Sequence, residues 1–304
     1  MDDCTAGSRK EMRQMKPRVL ITGITGFIGE HLALRLLQEQ WEVQAIVRPS
    51  SRLDDLPVIL QQKVHFYVHD TKHDLVNILR EARPDLVIHL ASVFLSKHKY
   101  EDIDAMLESN VIFGTKLLDA MVQQKVYRFI NTGTAWQHYE NQPYSPVNLY
   151  AASKQAFEML LQYYQETAPL RSITLKLFDT YGDGDKRKKL LALLAELAET
   201  GKTLAMSPGE QKIDLVHVDD VVEAFWLAAN YLLEGRNEYC GTYAVTSGTA
   251  ISLKELVARY EKLIGKPLSI EWGGRPYRER EVMEPWTQGN VLPGWDRKRW
   301  DLMW

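Results

Sequence analysis

Short apolar runs alternate with longer amphipathic stretches through most of this chain. Val19–Ile21, Glu42–Val47, Val64–Val68, Leu86–Leu90, Val126–Asn131, Arg171–Phe178 and Thr242–Thr246 are rich in strand formers and hold few charges. Such runs predict strands covered on both faces, the pattern of a parallel sheet. Helical spacing occupies the intervals: the segment carrying Leu32, Leu34, Leu36 and Leu37, then Leu75–Arg83, about Ile103–Gln123, and Ala151–Tyr164. Further helices are predicted up to about Glu199, up to Leu233 behind the caps Asp219 and Asp220, and up to about Ile264 behind Ser252 and Glu255, a capping box. Strand and helix in regular alternation predict an α/β fold with a doubly wound parallel sheet. Right-handed crossovers would then gather the first loop and the later strand ends along one crevice.

The first strand runs into Thr22-Gly23-Ile24-Thr25-Gly26-Phe27-Ile28-Gly29, a glycine loop opening a helix. A helix N-terminus presents free N–H groups and the positive end of the helix dipole, and so suits phosphate. Gly23 permits the turn, Gly26 lets a pyrophosphate approach the backbone, and Gly29 lets helix and strand pack closely. Gly23, Thr25, Gly26, Phe27, Ile28 and Gly29 are therefore expected to cradle a dinucleotide. The spacing is GxxGxxG, not the GxGxxG of the general fingerprint. The second strand ends at Arg48-Pro49-Ser50-Ser51-Arg52, where an acid would hold the ribose hydroxyl of NAD and an arginine the 2′-phosphate of NADP. Arg48, Ser51 and Arg52 favour NADPH, with NAD as the second choice; the other reading is an ordinary surface loop.

Composition narrows the class without choosing it. The 304 residues are 45% hydrophobic and 25% charged, with a formal net charge of −3. That balance gives no reason to expect nucleic acid or an anionic membrane as partner. Two cysteines, Cys4 and Cys240, form no disulfide framework, and a cytoplasmic location is expected. No histidine and cysteine spacing suggests a metal, and no apolar run has the length of a membrane span. Residues 1–16 lack the apolar core of a signal peptide and are expected to be a loose tail.

Chemistry concentrates after the fifth strand. Tyr150 and Lys154 lie four apart near the start of a helix, which sets both side chains on one face. An ammonium beside a phenol favours the phenolate, so Lys154 is expected to lower the Tyr150 pKa from about 10 toward neutrality. Thr134, at the end of the intervening strand, is placed to orient a substrate oxygen. Further on, Asp183-Gly184-Asp185-Lys186-Arg187-Lys188-Lys189 is either a solvated basic turn or a grip on a nucleotide diphosphate.

Gly23-Ile24-Thr25-Gly26-Phe27-Ile28-Gly29, Asn131–Trp136, Asn148–Phe157, Lys176–Gly182 and Ser207–Asp220 together resemble the extended short-chain dehydrogenase/reductase family, of the epimerase/dehydratase type. The resemblance spans nearly the whole chain after the tail. It implies that Thr134, Tyr150 and Lys154 are catalytic. It implies cofactor contacts at Asp70, Thr71, Leu90, Ala91, Ser92 and Thr132, and a water ordered near the lysine by Asn110. Substrate contacts fall to Thr134, Trp136, Asp179, Arg187, Lys189 and Arg275. One departure is Ile213, where many relatives carry an arginine for the substrate phosphate. Residues 17–182, completed by about 213–246, would form the dinucleotide-binding domain. Residues 183–212 and 247–304 would form a smaller C-terminal substrate lobe packed with Trp286, Trp295, Trp300 and Trp304. The closest branch reduces the 4-keto group of nucleotide-linked 4-keto-6-deoxy sugars, as CDP-abequose and CDP-paratose synthases do, in deoxysugar and O-antigen precursor synthesis. Alternatives are a nucleotide-sugar 4-epimerase holding NAD tightly, and a non-enzymatic dinucleotide sensor. Ala135-Trp136 stand where dehydratases need Asp-Glu. The family also implies a homodimer paired through the helices of Asn110 and Lys154.

Overall fold

A computed structural model of the chain describes residues 16–70, 74–187 and 189–297. The expectations for the tail before Lys16, and those for Cys4, Thr71, Lys188, Trp300 and Trp304, lie outside the described residues.

Strands β1 (Arg18–Thr22), β2 (Glu42–Val47), β3 (His65–Val68), β4 (Leu86–His89), β5 (Arg128–Thr134) and β6 (Arg171–Leu177) alternate with helices α1 (Phe27–Gln38), α2 (Val58–Lys63), α3 (Leu75–Ala82), α4 (Ile103–Leu107), α5 (Phe113–Gln123) and α6 (Leu149–Thr167). The chain continues through β7 (Asp179–Tyr181), α7 (Leu190–Thr200), β8 (Leu204–Met206), β9 (Lys212–Ile213) and β10 (Leu215–His217). It then forms α8 (Val218–Leu233), β11 (Gly241–Val245), β12 (Ile251–Ser252), α9 (Leu253–Ile264) and β13 (Ile270–Trp272).

Seven strands make one parallel sheet in the order β11-β6-β5-β4-β1-β2-β3. The order reverses between β1 and β4, so the sheet is doubly wound and its crevice opens at the carboxyl ends of those two strands. Alternation along each strand feeds two cores. Val19, Ile21, Leu86 and Ile88 join the layer of α1, α2 and α8, while Leu20 and Val87 join that of α3, α5 and α6. These side chains are fully buried, each contributing about 1.5–3 kcal/mol relative to exposure. A third, separate core gathers Leu194, Leu197, Met206, Leu253, Leu256 and Val257. Around it α7 and α9 pack with the β8–β13 and β9–β12 pairs. The β7–β10 pair, parallel with Asp179 opposite Leu215, stands beside this third core. No helix among the described residues is long and apolar enough to cross a membrane.

Two local expectations change. The helix expected over Ile103–Gln123 is interrupted by a π-helical turn at Glu108–Ile112, between α4 and α5. The cap of α8 is His217, whose Nδ1 accepts from the Asp219 N–H at 3.2 Å. Asp219 and Asp220 instead occupy the first turn, where a carboxylate suits the helix dipole. Ser252 does cap α9, accepting from the Glu255 N–H at 3.1 Å.

Candidate active site

The glycine loop packs against the segment after β4 at Gly23 and folds tightly on itself at Gly29, because neither residue has a side chain. Gly23 has φ +80°, and a Cβ there would lie 2.6 Å from the Ala91 nitrogen. A Cβ on Gly29 would lie 2.2 Å from the Gly23 carbonyl oxygen. Gly26 begins α1 with no side-chain cap, and its residue lines a cleft together with Phe27, Ile28 and Gly29. The uncapped first turn therefore offers its N–H groups to whatever occupies that cleft. Thr132 lines the same cleft, and its buried Oγ1 has no protein partner. An uncapped helix start and an orphaned hydroxyl fit a ligand rich in acceptor oxygens, as a dinucleotide is.

The cleft holds about 1510 Å³ and runs from the glycine loop to the third core. Leu90, Ser92, Thr134, Trp136, Tyr150 and Lys154 face it in the middle, and Asp179, Arg187, Lys189 and Arg275 toward the smaller core. Thr25, Arg48, Ser51, Arg52, Asp70, Ala91 and Asn110 do not line it. Ala91 instead supplies the backbone on which Gly23 rests. Arg48 and Ser51 form a tight turn, with Ser51 N bonded to Arg48 O at 2.9 Å and Ser51 Oγ accepting from Arg48 N at 3.0 Å.

The catalytic pair is set by the start of α6. Asn148 caps this helix, accepting from Ala151 N at 3.0 Å. Tyr150 sits in the first turn, edge-on to Phe94 at 4.9 Å, and its hydroxyl bonds Ser92. Lys154 follows one turn later and is 2% exposed. Thr134, at the end of β5, accepts from Trp136 N at 3.3 Å through its hydroxyl.

The expected depression of the Tyr150 pKa is not what the protein alone produces. Burial pushes the phenol up to about 12, against the opposing bond to Ser92. The same burial pulls Lys154 down to about 8, against the charge of Glu158. Withdrawing both groups from water disfavours the charged form of each, and that outweighs the Ser92 bond at Tyr150 and the Glu158 charge at Lys154. At neutral pH Tyr150 is a phenol and Lys154 an ammonium.

The Asn110 amide is bonded on every side. Its Oδ1 accepts from Ser92 Oγ at 3.0 Å and from Val93 N at 2.7 Å. Its Nδ2 donates to Val93 O at 3.0 Å and to Ser153 Oγ at 2.9 Å. An amide has two donors and two acceptor positions, and all four are taken within the protein. Placed on the π-turn, Asn110 ties the segment after β4 to α6, and through Ser92 it reaches the Tyr150 hydroxyl.

The basic run resolves into separate roles. Arg187 grips Asp185 with two bonds of 2.6 and 2.7 Å, donates to Thr180 O at 3.0 Å, and lies 4.5 Å over the Phe27 ring. Burial works against ionised Asp185, but these bonds prevail and hold its carboxyl below the usual range. Arg187 thus stands at the junction of the glycine loop and the smaller core. Lys189 faces Asp179 at 3.5 Å. Ile213 lines the cleft from β9. Its neighbour Asp214 bonds Thr246 Oγ1 and the Ser247 N–H, which ties β9 to the loop after β11.

Sequence reasoning missed the group behind Thr134 and Lys154. Gln137, His138, Glu158 and Lys176 meet there in the interior. The i,i+4 spacing of Lys154 and Glu158 was the one available signal.

A cleft able to seat a diphosphate at one end and offer a proton beside a hydroxyl in its middle is what a dinucleotide-dependent enzyme of the oxidoreductase type requires. The chain belongs to the NAD dependent epimerase/dehydratase family, whose model matches residues 19–240. It is 30% identical over 270 residues to a CDP-abequose synthase of Yersinia pseudotuberculosis, covering 88% of this chain and 91% of that protein. It is 28% identical over 273 residues to a UDP-glucose 4-epimerase of Mycolicibacterium smegmatis, covering 82% and 83%. Among solved structures it matches the UDP-glucose 4-epimerase of Thermus thermophilus in complex with NAD at a TM-score of 0.74 and 27% identity, covering 92% and 94%.

Proposed function

We propose that this enzyme works on a nucleotide sugar and reduces the 4-keto group of a nucleotide-linked 4-keto-6-deoxy sugar, with NADPH as reductant. The observation that carries the reading is Tyr150 lining the same cleft as Thr134, with burial favouring its protonated, proton-donating form. Reduction of a ketone needs a proton donor at the oxygen as hydride arrives at the carbon; an epimerase first needs a base to take the proton of a hydroxyl. The likeness to CDP-abequose synthases over most of the chain supports the same direction. Bound, the reduced nicotinamide supplies hydride to the ketone carbon. The protein's part is to meet the charge that develops on the oxygen. Thr134 holds that oxygen by a hydrogen bond, Tyr150 delivers its proton, and the Lys154 ammonium stabilises the phenolate left behind. Arg275 and Lys189 supply positive charge for the substrate diphosphate, with Arg187 nearer the cofactor loop. Arg48 and Arg52, just after β2, are the residues we read as favouring the 2′-phosphate of NADPH, although they stand outside the cleft's lining. We read two copies as pairing through the helices of Asn110 and Lys154, on which Leu107, Ile112, Met159 and Tyr163 are exposed.

The test is to mix the enzyme with a panel of nucleotide-linked 4-keto-6-deoxy sugars, with NADPH and NADH in parallel, and follow nicotinamide absorbance. The expected result is stoichiometric loss of the reduced cofactor, faster with NADPH. Interconversion of two nucleotide sugars with no net loss of absorbance would assign the epimerase reaction to the same residues.

A further inference from the structure

The glycine loop offers a diphosphate only neutral groups. From Thr22 to Gly29 it holds no lysine or arginine, and the first turn of α1 has no side-chain cap. Its free N–H groups and the helix dipole amount to about half an elementary charge. The bridge of a dinucleotide carries a negative charge on each phosphate. That leaves charge for a cation from elsewhere in the chain to meet.

Arg187 reaches the loop from the other side of the cleft. It follows β7 in the chain, yet its guanidinium carbon lies 4.5 Å over the ring of Phe27, the first residue of α1. One edge of the guanidinium is fixed. Nε donates to Asp185 Oδ1 at 2.6 Å, and Nη2 donates to Asp185 Oδ2 at 2.7 Å and to Thr180 O at 3.0 Å. The backbone is fixed as well: Asp185 Oδ1 accepts the Arg187 N–H at 3.0 Å, and Arg187 O accepts the Lys189 N–H at 2.8 Å. A guanidinium carries its N–H groups in a planar fork, two of them on Nη1. Those two have no partner among the described residues, and the side chain lines the cleft. The preceding residue, Lys186, donates to Asp55 O at 3.4 Å, in the turn Leu53–Asp55 beyond β2. The segment from Asp185 to Arg187 therefore touches the body of the fold at the start of α1 and past the end of β2. In a doubly wound fold those places flank the diphosphate and the adenosine ribose of a dinucleotide.

We propose that Arg187 is a cofactor-binding residue: held from behind by Asp185 and Thr180, it presents the free N–H groups of Nη1 to the dinucleotide's diphosphate, opposite the first turn of α1. The substrate diphosphate is left to Arg275 and Lys189. Asp185 offsets part of the guanidinium charge, but it also fixes a long side chain before the ligand arrives, so little ordering remains to be done on binding. The inference rests on the glycine loop as the seat of a dinucleotide and not on which reaction follows, because NADH and NADPH carry the same diphosphate.

The experiment measures binding and needs no turnover. NADPH and NADH are titrated by quenching of tryptophan fluorescence, and ADP-ribose, CDP and UDP by calorimetry. Arg187→Gln should weaken the better-bound dinucleotide and ADP-ribose by about tenfold or more, the loss of one charge-assisted contact, while CDP and UDP stay within about twofold of wild type. Arg187→Lys keeps a cation but not the fork to Asp185, and its affinity should fall between the two. Unchanged dinucleotide affinity in Arg187→Gln overturns the contact. A loss confined to CDP and UDP overturns it too, by giving the arginine to the substrate, and so does an equal loss for every ligand, which is a loosening of the lobe. Should Arg187→Gln fail to fold, the same comparison in Arg187→Lys decides. A protein that binds as expected yet reduces no keto sugar keeps the contact and loses only the proposed reaction; one that binds neither dinucleotide loses the seat and the contact together.

Discussion

Replacing Tyr150 with Phe deletes a single oxygen and leaves the ring in place. The edge-on contact with Phe94, at 4.9 Å and 83°, survives because it belongs to the ring. The hydroxyl's bond to Ser92 is lost, but Ser92 keeps its other bond, to Asn110 Oδ1 at 3.0 Å. One neutral hydrogen bond contributes about 1 kcal/mol, so the fold and the cofactor site should persist. The chemical step should not. Without a proton donor the developing alkoxide must find its proton elsewhere, a loss of about 10²–10⁴-fold, or about 2.7–5.5 kcal/mol in the barrier. The wild-type rate should hold below pH 8 and decline above it, since burial sets the Lys154 ammonium to lose its proton near 8. Tyr150 itself, pushed up to about 12, keeps its proton through that window. Single-turnover stopped flow on the reduced nicotinamide isolates chemistry from product release, and quenching titrations report cofactor affinity. A variant whose single-turnover rate stays within about threefold of wild type would refute the assignment of Tyr150 as the acid.

Gly29→Ala should lose dinucleotide binding by more than tenfold, because its Cβ would meet backbone on two sides, 2.2 Å from Gly23 O and 2.8 Å from Ile24 Cα. Neither can yield as a side chain would; overpacking of this kind costs about 1–3 kcal/mol, and unchanged affinity in a fluorescence titration would contradict the cradle. His89 concerns stability against acid. Burial pulls its pKa down to about 3, so between pH 6.5 and 3 the unfolded chain binds a proton that the folded chain refuses. Stability from this residue is full above pH 6.5 and falls as pH drops; at pH 5 the loss is about 2 kcal/mol, set by the unfolded value alone. Urea unfolding of wild type and His89→Gln at pH 7 and pH 5 should show the smaller pH effect in the variant, and equal slopes would count against a neutral buried ring.

The repeating β and α segments, the glycine loop at a helix start and the Tyr150–Lys154 pair on one helix face were legible in the sequence. Each depends on neighbours a few residues away: period 2 or continuous apolarity for a strand, period 3.6 for a helix, and glycine where a Cβ has no room. Even the interruption of the long helix at Glu108–Ile112 lay beyond that reach, since an inserted residue in a turn leaves the apolar pattern nearly intact. The tertiary structure decided the charge states. A neighbouring ammonium suggested a lowered Tyr150 pKa, but how much water each group loses depends on what packs over it from other segments. Asn110 could be placed near the lysine from its helix, yet its four bonds go to Ser92, Val93 and Ser153, two of them on a loop formed by a different crossover. Nothing in the sequence singled out Lys176 on its strand, and its partners Glu158 and His138 come from α6 and the loop after β5. Arg187 read as part of a basic run, and it lies over Phe27, some half a chain earlier. Spacing encodes which residues share an element; desolvation and the pairing of buried charges arise only when separate elements close over one another.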